Sequence, residues 1–341
     1  MYRNASGFGR ALRNAAVVLL CAVVGGGLLA ACGSGENKEP PPSPSGTQGA
    51  ASTAPAAGAN SPEPAGERKV KDELGHELVV PASPKRIFAP YLEDSLLKLG
   101  LKPVAQWSNG NQALEYLQEE LKDVPKLDLS TGLPSPEVLL SYNPDLIILH
   151  TSSYAGNGVY ENYSKIAPTY VFNNASGNIE KSLLALGELV GKQAEAEQAL
   201  KAYRDKAETA KKKLEQAVGG KKVAILRFAP KGVSLMGANY LCGYVVHQDL
   251  GLGRSKLVEK ENSANITLEI LPELDADYIF VINQYGQGTE RLREMTESPV
   301  WKSIPAVKQG HVYELNDMHW LGSGLIAYEK MIDDTLKLLV Q

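Results

Sequence analysis

The sequence predicts an α/β protein made of two similar lobes facing one another and joined by one long α-helix. Three observations carry this. Short apolar runs alternate with amphipathic stretches, the pattern of strands and helices in mostly parallel sheets. The stretch Gln193–Val218 is rich in Ala, Lys, Glu and Leu and contains neither proline nor glycine until Gly219-Gly220. A segment before that helix also matches a segment after it, residue for residue at several positions.

In chain order, residues 1–31 read as an export signal. Arg3, Arg10 and Arg13 precede an apolar run from Ala15 to Leu29, and Ala30-Ala31 leads to Cys32. That is the order of a basic region, an apolar region and a small-residue cleavage site. Leu29-Ala-Ala-Cys32 resembles a bacterial lipobox, which implies that the Cys32 thiol takes a lipid and its freed amine becomes the new N-terminus. A membrane-spanning helix is the alternative. However, the run falls short of the ~20 residues of a span and is diluted by Gly25, Gly26 and Gly27. Residues 32–68 are dominated by Gly, Ser, Pro, Ala and Thr. They offer too little apolar surface to offset the entropy of ordering, and read as a disordered stalk between anchor and body.

Composition narrows the function further. The chain holds 39 acidic and 35 basic residues, a net charge of −4, so there is no general attraction to nucleic acid. Of its three cysteines, Cys21 lies in the signal and Cys32 at the cut, leaving Cys242 alone in the body. An intramolecular disulfide is therefore excluded, Cys242 reads as a core residue, and a chain of this length can rely on its core. Five scattered histidines show no metal-ligand spacing, so no metal site is expected.

The body divides into a first lobe (69–191), a connecting helix (192–219) and a second lobe (220–341). Strands are expected at Arg86–Ala89, Val104–Trp107, Leu146–His150, Thr169–Phe172, Val223–Phe228, Tyr278–Asn283 and Val312–Leu315. Helices are expected at Ser95–Leu99, Leu114–Leu121 and Pro136–Tyr142, and at Asn178–Val190, which Gly191 ends as a C′ residue. The connecting helix is about 39 Å long at 1.5 Å per residue. Its apolar residues Ala196, Leu200, Tyr203, Ala207, Ala210 and Leu214 fall on one narrow stripe. A coiled coil gives a similar stripe, but a single long helix between two βα-patterned regions is better explained as a connector, so a monomer is expected.

The repeat aligns Glu137-Val-Leu-Leu-Ser-Tyr-Asn-Pro-Asp145-Leu-Ile-Ile-Leu with Glu269-Ile-Leu-Pro-Glu-Leu-Asp-Ala-Asp277-Tyr-Ile-Phe-Val. In each copy a glutamate near a helix start is followed eight residues later by an aspartate that opens an apolar strand. Leu139 coincides with Leu271, and Ile147 with Ile279.

With the lipobox, the polar stalk, two α/β lobes and one connecting helix, the chain resembles the class III substrate-binding proteins of ABC importers. The runs Pro134–Ile148 and Ser298–Tyr313 carry the resemblance. Leu226-Arg-Phe228, Gly232-Val-Ser-Leu-Met-Gly237 and Trp320-Leu-Gly-Ser-Gly324 are similar to the ferric-siderophore branch of Gram-positive bacteria. The resemblance implies a ligand cleft between the lobes, a ferric siderophore as the transported ligand, an ABC permease as partner, and a lipid-anchored place on the extracytoplasmic face of the cell membrane. It implies no cofactor, since the chelate itself holds the iron. Cobalamin or haem on the same scaffold is one alternative, with His319 or Tyr154 as an axial ligand for haem; a cell-surface two-lobed enzyme is the other, and it would require a perturbed acid or a nucleophile converging in the cleft. Glu137 and Glu269 match the family's pair of permease-docking glutamates; an acid in a first helical turn is also favoured by the helix dipole alone.

Ligands of parallel sheets meet the loops past the carboxyl ends of the strands. Those loops supply Tyr91, Trp107 with Ser108, Tyr154, Arg227, Tyr285 and Trp320 as ligand-binding candidates, and Tyr240 after the Gly237 turn as a further one. Aromatic walls with few fixed donors suit an oxygen-coated chelate, and a guanidinium suits a carboxylate. Arg227 is accordingly the expected clamp, unless a surface acid pairs with it. Enzyme signatures are missing. Gly322-Ser-Gly324 is too short for a nucleophile elbow, and Gly187-Glu-Leu-Val-Gly191-Lys192 has the wrong spacing for a P-loop. No catalysis is expected.

Overall fold

The computed structural model describes residues 66–340; the export signal, Cys32 and nearly all of the stalk lie outside the described residues. An unanticipated hairpin begins inside the segment expected to be stalk. Its strands β1 (Glu67–Lys71) and β2 (Glu77–Pro81) pair antiparallel around a turn in which Asp72 accepts the N–H groups of Leu74 and His76. Next come β3 (Ile87–Phe88), α1 (Glu93–Lys98), β4 (Gln106–Asn109), β5 (Gln112–Ala113), α2 (Gln118–Leu121) and β6 (Lys126–Asp128). The helix α3 (Pro136–Ser141) starts where it should. The Ser135 hydroxyl accepts the Val138 N–H and a proline occupies the first turn, the pairing of cap and fixed φ that favours a helix start. The first half closes with β7 (Leu146–Leu149), α4 (Val159–Tyr163), β8 (Thr169–Val171) and α5 (Ile179–Leu189). Strands β3, β7 and β8 form a parallel sheet, while β4 pairs with β5 antiparallel and β6 parallel.

The long helix α6 (Gln193–Val218) has the bounds the sequence predicts, and its buried residues are Ala196, Ala199, Leu200, Tyr203, Ala207, Ala210 and Leu214. The second half follows with β9 (Val223–Ala229), β10 (Gly232–Met236), a short α7 (Leu241–Gly243) that widens into a π-helical turn (Tyr244–Asp249), β11 (Ser263–Asn265) and β12 (Tyr278–Asn283). It ends with α8 (Thr289–Glu297), α9 (Pro299–Ser303), α10 (Pro305–Lys308), β13 (Val312–Leu315), α11 (Asp317–Trp320) and α12 (Leu325–Leu339). Its sheet runs β11-β10-β9-β12-β13. Strands β9, β12 and β13 are parallel, but β10 and β11 are antiparallel additions that the sequence pattern does not announce.

The internal repeat is a repeat of structure. Asp145 accepts the N–H groups of Lys85 and Arg86, and its own N–H donates to the Arg86 carbonyl, just ahead of β3. Asp277 accepts the Lys222 N–H and its N–H donates to the Lys222 carbonyl, just ahead of β9. Each aspartate therefore sets its strand in register with the neighbouring parallel strand. Leu139, Leu271, Ile147 and Ile279 are all fully buried.

Alternation along the strands places the core. Leu146 and Ile148 of β7, Val223 and Ile225 of β9, and Phe280 and Ile282 of β12 share one apolar cluster with α6 and α12. The opposite faces feed two outer clusters, Ile147 and Leu149 in one, and Ala224, Leu226, Ile279 and Val281 in the other. The inner faces of both halves thus rest on a common core around two helices. The second of these, α12, falls in the range 220–341 assigned to the second lobe, yet it packs along α6 and against α1 of the first half. Lys98 of α1 pairs with its Glu329 at 2.6 Å.

Candidate ligand-binding site

Beyond the carboxyl ends of β3 and β12 the chain turns sharply, at Tyr91 (φ 68°) and Tyr285 (φ 52°). Left-handed backbone costs a side-chain-bearing residue roughly 1–2 kcal/mol and persists where the surroundings over-determine it. At Tyr285 the N–H donates to the Asp317 carboxylate. Between the two tyrosines stands Trp107 of β4, with ring centroids 6.3 Å from Tyr91 and 6.0 Å from Tyr285. Tyr154 stacks on Tyr91 at 5.9 Å with the two hydroxyls 3.3 Å apart, and His150 lies 4.5 Å from Tyr91 and 5.1 Å from Tyr154. One aromatic wall is built from both halves of the chain.

The acids under this wall escaped the sequence reading. Glu93 is fully buried; its Oε1 accepts the Trp107 N–H at 2.8 Å, while Oε2 has no hydrogen-bond partner. Burial raises its pKa to about 7. Asp94, also buried, accepts the N–H groups of Ile326 (3.0 Å) and Ala327 (2.9 Å) at the start of α12, as well as the Tyr116 hydroxyl. Burial outweighs these bonds and raises its pKa to about 6. The contact is close enough that a Cβ on Gly324 would stand 2.2 Å from the Asp94 carboxyl carbon. In the sequence, Glu93-Asp94 reads as ordinary acids of a first helical turn. The only signal in the sequence is that they stand two and three residues after Tyr91, which follows a strand end. Burial likewise lowers the His150 pKa to about 4, so that ring is neutral, and its Nδ1 has no partner.

Arg227 lies near the end of β9, in register with Ile282 of β12 and Ser234 of β10. It is half-buried, makes no salt bridge among the described residues, and its Nε is buried without a partner. The surface acid that would give it a purely structural role is absent among the described residues. Burial pushes up the pKa values of the Tyr285 hydroxyl and the Cys242 thiol, and the Arg227 charge opposes both rises. Cys242 is fully buried, its thiol pushed up to about 12.

Three expected ligand residues are placed elsewhere. Trp320 is fully buried, edge-on to Phe280 at 5.4 Å, with its Nε1 donating to Asp334 at 2.9 Å. It is a core residue because β13 delivers α11 onto the inner sheet face. Ser108 is 1% exposed inside β4, enclosed by its neighbouring strands β5 and β6. Tyr240 lines a separate cavity of about 560 Å³ with Tyr203, Tyr244 and Tyr328. His319 is also withdrawn, its Nε2 2.7 Å from Asp334. Burial raises the Asp334 carboxyl, but hydrogen bonds from His319 and Trp320 outweigh it and hold the pKa below the usual value.

Glu137 and Glu269 are exposed, one in each half, and the hydroxyl two residues before each (Ser135, Thr267) helps hold its pKa below the ordinary value. Among the described residues no cluster of His, Cys, Asp and Glu could hold a metal ion, and no helix is long and apolar enough to cross a membrane.

A model of the periplasmic binding protein family matches residues 93–318. A probable siderophore-binding lipoprotein of Bacillus subtilis, YfiY, is 29% identical over 285 residues, covering 78% of this chain and 86% of that protein. The iron(3+)-hydroxamate-binding protein FhuD of the same organism is 31% identical over 207 residues, covering 58% of this chain and 64% of that protein. Staphylococcus aureus SirA, solved in complex with staphyloferrin B, superposes with a TM-score of 0.69 at 26% identity, covering 80% of this chain and 98% of SirA.

Proposed function

The chain belongs to the periplasmic binding protein family, and on that premise we propose that it captures a ferric siderophore outside the cytoplasm and hands it to an ABC permease, without catalysis. One observation carries the reading: an aromatic wall drawn from both halves stands beside an arginine with no acid partner. Apolar ring faces suit the organic frame of a chelate, and the guanidinium suits its carboxylate or hydroxamate oxygens. The names of the relatives, and the staphyloferrin B held by SirA, point the same way. The protein's own groups do not ligate the iron. Lipidation of Cys32 on a Gram-positive cell surface, a monomeric receptor, and two lobes flanking the helix at 192–219 belong to the same proposal.

All three tryptophans are largely buried (7%, 4% and 0% exposed for Trp107, Trp301 and Trp320), but only Trp107 forms part of the wall and lines the hollow beside it. Tryptophan fluorescence titrated with ferric hydroxamates, ferric carboxylate siderophores, cobalamin and haem therefore tests the reading. Saturable quenching by at least one ferric siderophore is expected. Saturation by cobalamin or haem alone would replace the ligand class.

Delivery is tested separately. Glu137 and Glu269, exposed and ionised, would dock onto basic groups of the permease. Reversing both charges abolishes iron uptake by cells while leaving affinity in solution unchanged, and each single reversal gives a partial loss. Normal uptake by the double variant would remove the two residues from docking. Cys32→Ala releases the mature body from membranes; a variant that still required detergent for extraction would exclude lipidation at this residue.

A further inference from the structure

Beneath the aromatic wall lies a hollow of about 460 Å³, open to solvent and lined by Tyr91, Trp107, Tyr285, Tyr116 and Asp94, with mostly apolar residues of α11 and the loop after it, Ser323 being the polar exception. The successive rings are tilted by 46° (Tyr91 to Trp107) and 38° (Trp107 to Tyr285), so three facets form a concave surface. Their centroid spacings of 6.3 Å and 6.0 Å let a compact group in the hollow lie within ~6 Å of more than one ring, the range over which an aromatic face attracts a cation. Asp94 is the only acid or base on the lining besides the tyrosines, and with its pKa raised to about 6 it is largely ionised at neutral pH. Two backbone N–H groups and the Tyr116 hydroxyl fix its carboxylate. The buried Glu93 lies directly behind, bonded to the Trp107 N–H. Of the neighbouring cations, Lys98 is paired with Glu329, and Arg227, whose charge acts on the Tyr285 hydroxyl, lies beside the lining without being part of it.

We propose that this cavity is a subsite for a compact organic cation, the ammonium end of an aliphatic arm carried by the ligand, with the oxygen-rich face of the chelate turned to Arg227. The orientation rests on the ferric-siderophore reading of the site; the recognition of a cation does not. A neutral arm would gain the ring surfaces but nothing from Asp94. A second anionic group would meet a carboxylate and the negative faces of three rings.

The test uses a matched pair of linear ferric trihydroxamates, one ending in a primary ammonium and the other N-acetylated at that nitrogen. The ammonium form binds at least about tenfold tighter, and Tyr285→Leu and Asp94→Asn each bring the ratio towards one. Tyr285→Leu serves as the check on Asp94→Asn, because Asp94 also holds the start of α12. Equal affinities for the pair, or a ratio that Tyr285→Leu leaves unchanged, overturn the inference. Should neither chelate bind, the siderophore reading fails and a simpler probe decides. Tetramethylammonium then perturbs Trp107 fluorescence saturably and the neutral tert-butanol does not, whereas equal responses or none overturn the cation subsite.

Discussion

In the first half of the chain Tyr91 and Tyr154 follow strand ends and Trp107 stands within β4, with a neutral His150 among them. In the second half the corresponding ends supply Arg227 and Tyr285. The two halves share a repeat in which an equivalent aspartate fixes the same strand register, so the contrast lies outside that repeat, in the loops and in β4, whose small sheet has no counterpart among the described residues of the second half. One half contributes ring surface and the other a charge, and only Tyr285 crosses between the two roles by touching Trp107. On the proposed reading, an anionic group of the ligand and its organic frame would thus be met by different halves, so the two can be altered separately.

Substitutions can break or sharpen that division. The largest effect is expected where the second half contributes packing alone. Trp320→Ala should destabilise the protein by about 3–5 kcal/mol, read from denaturant unfolding. It should change ligand affinity in the surviving folded fraction far less, and a primary loss of affinity would return Trp320 to the site. Arg227→Ala should weaken carboxylate-bearing ferric siderophores by about 1.5–3 kcal/mol and neutral trihydroxamates less. Equal losses would mean that the second half recognises shape and the contrast fails.

Glu93→Gln tests the first half. The Glu93 pKa is raised to about 7 from an ordinary value of 4.5, so the folded state favours the protonated form. Its contribution is most favourable below the unfolded value and is lost as pH rises through about 7. The glutamine variant should remove part of that decline, on the order of 2 kcal/mol, between pH 5 and 7; Asp94, shifted in the same direction, retains the rest. An unchanged pH profile would show that Glu93 is not titrating there. The smallest effect should come from Tyr154→Phe, which removes the 3.3 Å hydroxyl contact with Tyr91 but keeps the ring stacked. A loss of about 0.5–1 kcal/mol for all chelates is expected; a loss confined to anionic ones would mean that the hydroxyl contacts the ligand.

Much of this was legible before any coordinates. Helix α6 is explicit in the sequence because twenty-six residues without a breaker leave no competing structure. The β7 and β12 repeats are explicit because a buried parallel strand is a dense apolar run. Tyr91, Trp107, Tyr154 and Tyr285, expected together from their positions at or past strands, do stand together in one aromatic wall, although Trp107 lies within β4 and not in a loop. Trp320 was misplaced by the same rule: a short helix after β13 turns that loop inward, and a helix of four residues leaves little trace in periodicity. The antiparallel β10 and β11 were invisible because their pairing depends on a partner rather than on composition. Nor does local sequence tell a buried acid at a helix start from a solvated one, which hid Glu93 and Asp94.

The hydrogen bonds from Ile326 and Ala327 to Asp94 join residues separated by 232 and 233 positions along the chain. A closure of that length is entropically costly to initiate, and contacts of such separation form late and slow the overall rate. Until α12 docks, the first half lacks the backbone donors that satisfy Asp94. Its inner sheet face also stays uncovered until Leu325–Leu339 arrives. The half that supplies most of the aromatic wall is consequently the one whose buried acid is satisfied only once α12 has docked.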